Sequence, residues 1–183
     1  MTHFEFVFSL FGLLLGLSLA EVLGGAVRTL KARRRVRVGW LTPLLGLFVM
    51  LDLVSFWMGA WSAQAMIPAT YPALLTGLAI TGLYYMAATL VFPDDVEKWP
   101  DFDAYYFEHR RQVLVGIWLC NIIVFGLFWA MRGRVTGLAI AADAVPTLLV
   151  AIAVISRSRA IGVLCLSALV AIYLFGWILI RLI

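Results

Sequence analysis

Three carboxylates interrupt otherwise apolar stretches of this chain, Asp52, Glu21 and Asp143. An acid in such surroundings is the group most able to take up and release a proton or a monovalent cation. An aspartate at the centre of a bilayer costs ~2.5–3.5 kcal/mol to insert, so it either does work or is held by a partner. Asp52 is the most central of the three: counted from Leu41 at about 1.5 Å per residue, it lies about 16 Å into its helix. Ser55, Gly59 and Ser62 follow it at i+3, i+7 and i+10 and give that helix a small, polar face. By the same ruler Tyr84, Tyr85 and Asn121 come to a similar depth and are the expected partners of Asp52. Asp143 falls toward one end of the bundle and Glu21 toward the other. Facing one cavity, the three would form a path for protons or monovalent cations. The competing reading makes Asp52 a hydrogen-bonded tie between helices and pairs Glu21 with Arg28 seven residues on.

The elements that position these groups follow from composition. Of 183 residues 64% are hydrophobic and 13% charged, with mean hydropathy +1.02. Soluble domains run at roughly 45–50% and about 25%. The chain therefore reads as one polytopic, all-α membrane domain over residues 1–183. A span of the ~30 Å hydrocarbon core needs about 20 apolar residues, and six such runs are expected, close to 6–26, 40–63, 71–92, 112–131, 136–155 and 161–180. The N-terminus lacks a basic region ahead of its apolar run, so the first span is expected to be retained rather than cleaved as a signal peptide.

Orientation follows from charge. Arg28, Lys31, Arg33, Arg34, Arg35 and Arg37 form a cluster after the first run, and basic residues beside spans are retained on the cytoplasmic side. With Lys98, Arg110, Arg111, Arg157 and Arg159 also inside, only Arg132, Arg134 and Arg181 lie outside. Both termini are thus expected outside a bacterial inner membrane. The basic cluster is expected to face anionic lipid head groups or a partner protein. A net charge of +4 is no sign of nucleic-acid binding here, because the basic residues sit beside spans. The division into three and three helices of opposite orientation is the one that inverted-repeat transporters use, although the two halves share no sequence similarity.

Residues 93–111 are the sizeable polar segment. Asp94, Asp95, Glu97, Asp101, Asp103 and Glu108 stand there against Lys98, Arg110 and Arg111. On the expected topology this acidic loop shares a face with the arginine cluster, and the two are charge-complementary. Phe102, Tyr105, Tyr106 and His109 recur at i, i+3, i+4 and i+7, the spacing of one helical face; a short interfacial helix before the fourth span is expected there. In the first span Gly12, Gly16, Ala20 and Gly24 recur every four residues. Such a stripe lets helices approach closely, either within the chain or at a seam between copies.

No P-loop, HExxH or GxSxG is present, and no enzyme activity, metal site or cofactor is expected. Cys120 and Cys165 sit inside apolar runs without CxxC spacing and read as small buried hydrophobes. Two functional readings remain. The first is a small channel or transporter subunit for protons or monovalent cations, acting through the intramembrane carboxylates. The second is a non-transporting scaffold or accessory subunit that binds a membrane partner, or its own copies, through its helices and loops. A wet cavity joining the polar faces favours the first; a dry core with Asp52 capped by hydrogen bonds favours the second.

Overall fold

The computed structural model describes residues 3–132 and 137–182. Six α-helices follow one another: α1 (His3–Ala32), α2 (Leu41–Ser62), α3 (Tyr71–Thr89), α4 (Phe102–Arg132), α5 (Gly137–Ile155) and α6 (Arg159–Leu182). A single 3-10 turn, Val96–Lys98, precedes α4. No strand occurs among the described residues. Helices α1, α2, α3, α4 and α6 are long and apolar enough to cross a membrane, and the described part of α5, Asp143–Ile155, is apolar as well. The chain is a multi-pass helical membrane protein. Of the turn expected at Arg132-Gly133-Arg134, everything from Gly133 to Thr136 lies outside the described residues.

Helix α2 is the most buried span and packs on α1, α4 and α6, while α1 lies on α3, α3 on α4, α4 on α5 and α5 on α6. The two halves do not repeat one another: α1 packs directly on α3, and α4 has no comparable contact with α6 among the described residues. Lipid tails are as apolar as leucine, so helices associate by fit rather than by escape from water. Phe92 supplies that fit at one end. Helix α3 stops at Thr89, three residues before the expected end, and the turn that follows drives the Phe92 ring between α1 and α2. A Cβ at Gly25 would sit 2.6 Å from Phe92 Cβ, and one at Gly46 2.8 Å from Phe92 Cε2. Glycine at both positions is what admits the ring.

The expected short helix before the fourth span is not a separate element. Its aromatic stripe forms the first turns of α4, which runs unbroken for 31 residues, about 46 Å at 1.5 Å per residue. The Asp101 carboxylate accepts from the Asp103 N–H at 2.9 Å and starts the helix. Phe102, Tyr105 and Tyr106 are buried within the chain rather than laid on a lipid surface. The Tyr105 hydroxyl donates to the Leu90 carbonyl at 3.1 Å, and its ring stacks on His109 at 4.1 Å with Trp99 edge-on to both.

Three connections meet at this end of the bundle. The Arg37 N–H donates to the Pro100 carbonyl at 2.8 Å and the Phe102 N–H to the Arg37 carbonyl at 2.9 Å, joining the α1–α2 connection to the start of α4. Gly39 turns the chain with φ +61°, where any side chain would run into the Asp103 carboxylate. That carboxylate accepts from the Leu41 N–H at 3.3 Å, and Thr42 Oγ1 donates to the Phe102 carbonyl at 2.8 Å. Ion pairs lie over these bonds: Arg28 with Asp94 (3.8 Å), Arg35 with Glu97 (3.6 Å), and Arg159 with Asp101 (3.0 Å) and Asp103 (3.6 Å). The complementarity between the arginine cluster and the acidic loop is therefore realised within one chain. Exposed pairs are worth ~0–1 kcal/mol each, so the buried bonds of Asp103 to Leu41 and of Thr42 to Phe102 carry more of the docking.

Candidate functional site

Asp52 is 0% exposed and receives hydrogen bonds from three other helices. Tyr84 of α3 donates its hydroxyl to Oδ2. Tyr173 of α6 donates to Oδ1 at 2.5 Å, and Asn121 of α4 donates Nδ2 to the same oxygen at 3.1 Å. Each donor is seated by its own surroundings. Tyr84 is fully buried and meets Phe56 edge-on at 5.3 Å; Tyr173 meets Phe48 in the same way at 5.7 Å; Asn121 also bonds the Ile117 carbonyl at 3.1 Å. Helix α2 is thereby tied to α3, α4 and α6 through one side chain. Both carboxyl oxygens are engaged, which satisfies a buried polar group in surroundings where leaving it unmet is costly.

The other expected members distribute differently. Tyr85, next to Tyr84 and about 100° around a 3.6-residue turn, is 37% exposed and turns away from Asp52. Ser55 is exposed, and Ser62 returns its hydroxyl to the Met58 carbonyl at 2.9 Å. The polar face drawn along α2 thus reduces to Asp52. Glu21 pairs with Arg28 at 3.1 Å at the end where the three connections meet, as the pairing at i+7 anticipates. Asp143 is half-buried on α5 and is not one of the groups bonded to Asp52. Sequence reasoning missed Tyr173. The depth ruler would have found it: twelve residues beyond Ile161 give about 18 Å, close to the depth of Asp52.

Of the stripe on α1, the glycine that packs on another helix of the chain is Gly12. Gly12 approaches Trp57, with a Cβ reaching Cη2 at 3.6 Å, but a Cβ at Gly16 would meet nothing within 4 Å and one at Gly24 would meet only its own Arg28. Gly16 and Ala20 are exposed and Gly24 is half-buried. In the basic cluster Arg28 and Arg35 are drawn into ion pairs, whereas Lys31, Arg33, Arg34 and Arg37 expose their side chains. Nearby, Lys98 at 3.2 Å holds the Asp95 carboxyl below its ordinary pKa, helped by the Glu97 N–H at 3.1 Å.

A cavity of about 370 Å³ opens at the far end, between α1, α2, α3, α4 and the α2–α3 connection. Phe8, Phe11, Phe56, Ile80 and Phe128 line it, and its polar contributors are the threonines Thr70 and Thr76. Phe56 and Ile80 separate this space from the polar cluster. Phe56 packs on Tyr84, and the Ile80 carbonyl accepts from Cys120 Sγ at 3.4 Å. Cys120 and Cys165 are both free and buried. No group of three or more histidine, cysteine or carboxylate side chains that could hold a metal ion occurs among the described residues.

No protein-family model, curated protein or solved structure matches the chain.

Proposed function

We propose that this chain is a non-transporting accessory or scaffold subunit of a membrane, with Asp52 as a structural tie rather than a carrier of ions. The observation that carries the reading is the complete enclosure of Asp52 by three donors from α3, α4 and α6. A transport site must change protonation or exchange partners at each turnover. At Asp52 either change would have to break bonds to side chains that are themselves seated in packed surroundings, at the cost of leaving buried polar groups unmet. The apolar lining of the neighbouring cavity supports the same reading, since a cation passing through it would lose its hydration with almost no replacement.

Its working surfaces are then the outward stripe Gly16, Ala20 and Gly24, where a helix of a second copy or of a partner membrane protein packs, and the docked connections at the basic end. We place six crossings in a bacterial inner membrane with both termini outside, on the asymmetry of lysine and arginine. The test is flux in proteoliposomes under an imposed gradient and potential. Vesicles carrying the wild-type protein are expected to pass no more H⁺, Na⁺ or K⁺ than empty ones. Flux above empty vesicles that Asp52→Asn abolishes would establish the transport reading instead.

A further inference from the structure

At the basic end lies a buried charge that, unlike the buried Asp103, has no oppositely charged partner among the described residues. Arg110 of α4 is only 3% exposed. Its guanidinium lies 4.7 Å from the centroid of Phe107 and 5.9 Å from that of Tyr106, and Nε donates to the Val154 carbonyl in the last turn of α5 at 3.3 Å. The Nη atoms have no hydrogen-bond acceptor among the described residues. Arg111 follows it directly in the chain and Arg157 lies three residues beyond its acceptor Val154, so two further cations stand beside it. Arg28, Arg35, Lys98 and Arg159 each reach a carboxylate; among the described residues Arg110, Arg111 and Arg157 reach none, nor do Lys31, Arg33, Arg34 and Arg37 of the exposed cluster. Beside them the Tyr106 hydroxyl is buried without a partner.

Three cations at one end of the bundle, none paired with a carboxylate among the described residues and one of them buried, are costly to fold. Capping the end of α5 offsets part of that cost through the helix dipole but uses one of the five guanidinium N–H donors. The remaining donors match the oxygens of a phosphate. Arg111 and Arg157 are exposed at the end of apolar helices, the level at which phospholipid head groups lie, and basic pockets between spans are how membrane proteins hold such groups. We propose that Arg110, with Arg111 and Arg157, forms a binding site for a phosphate-bearing anion, supplied by the head group of an anionic phospholipid. This site is separate from the exposed cluster that follows α1.

The experiment measures thermal stability of the purified full chain in detergent during titration with phosphatidylglycerol, phosphatidylcholine or inorganic phosphate. Phosphatidylglycerol is expected to raise Tm saturably, and phosphatidylcholine, whose choline cancels the phosphate charge, to do so much less. Arg110→Gln is expected to weaken the phosphatidylglycerol midpoint about tenfold, the loss of one charge-assisted contact. The double variant Arg111→Gln/Arg157→Gln leaves the buried residue in place and is expected to weaken it in the same direction, which keeps the test decisive if Arg110→Gln does not fold. Saturable protection by inorganic phosphate alone, lost in the same variants, assigns the site to an aqueous anion. Equal protection by both lipids, or an unchanged phosphatidylglycerol midpoint in the double variant, overturns the proposal.

Discussion

Removing the tie at Asp52 should cost stability in a pattern that a solvated carboxylate would not produce. Asp52→Leu deletes the acceptor for three donors. Asn121 retains the Ile117 carbonyl, so its loss is partial, but Tyr84, fully buried, is left without a bond. Hydrogen bonds between membrane helices average about 0.6 kcal/mol and reach about 1.7 kcal/mol, which puts three of them near 2 kcal/mol. An orphaned buried hydroxyl adds about 1–3 kcal/mol. Asp52→Leu is thus expected to destabilise by about 3–5 kcal/mol. Asp52→Asn, which keeps the shape and one acceptor, should cost about 1–2 kcal/mol on the same scale. Tyr84→Phe and Tyr173→Phe should each lose about 1 kcal/mol in the wild-type background and little beside Asp52→Leu, where the acceptor is already gone. Reversible unfolding in mixed micelles, analysed as a double-mutant cycle, measures these couplings. Additive losses, with coupling near zero for both tyrosines, would refute the reasoning, because they would mean that the bonds to Asp52 contribute no stability.

Three further outcomes follow from the packing and from the ends of the bundle. Gly46→Val drives a side chain into Phe92 from 2.8 Å and is expected to lower stability by about 1–3 kcal/mol, whereas Gly16→Ala, which meets nothing within 4 Å, should leave the unfolding free energy of the isolated chain unchanged; equal effects in unfolding titrations would remove the wedge from the account. Cysteines introduced after Arg35 and at Ser158 should resist an impermeant thiol reagent added outside sealed cells while one at Gly133 reacts, and the reverse pattern would invert the orientation. The lowered pKa of Asp95 makes its pairing with Lys98 a contribution present above the unfolded pKa and lost as pH falls through the folded value, so NMR signals of the Val96–Lys98 turn should shift below about pH 4 and do so at higher pH in Lys98→Met.

What was legible in the sequence was depth, and what was not was azimuth. Runs of apolar residues fix where a chain sits along the membrane normal. The level of Asp52, Tyr84 and Asn121 could therefore be read by counting residues, and the three do meet. Tyr84 and Tyr85 share that level, yet only one can face α2, and nothing in their types distinguishes them. The same limitation governs α1. Four-residue spacing defines a stripe on a helix without saying which neighbour it faces, and here Gly16 and Ala20 turn outward while Gly25, outside the repeat, takes the close approach of Phe92. The wedge itself leaves no periodic trace, because it depends on α3 ending early and on glycines in two other helices. Arg110 was hidden for a related reason. Amid the charges of residues 93–111 it reads as one more solvated cation, and only the packing of α4 against α5 separates it from Arg111. Charge balance along the sequence would assign it to the neighbouring aspartates, but those are already engaged: Asp101 and Asp103 by Arg159, Asp95 by Lys98, Asp94 by Arg28. Of the cations left once those ion pairs have been made, Arg110 is the buried one, and that is why the lipid head group, rather than the acidic loop, is the partner argued for it.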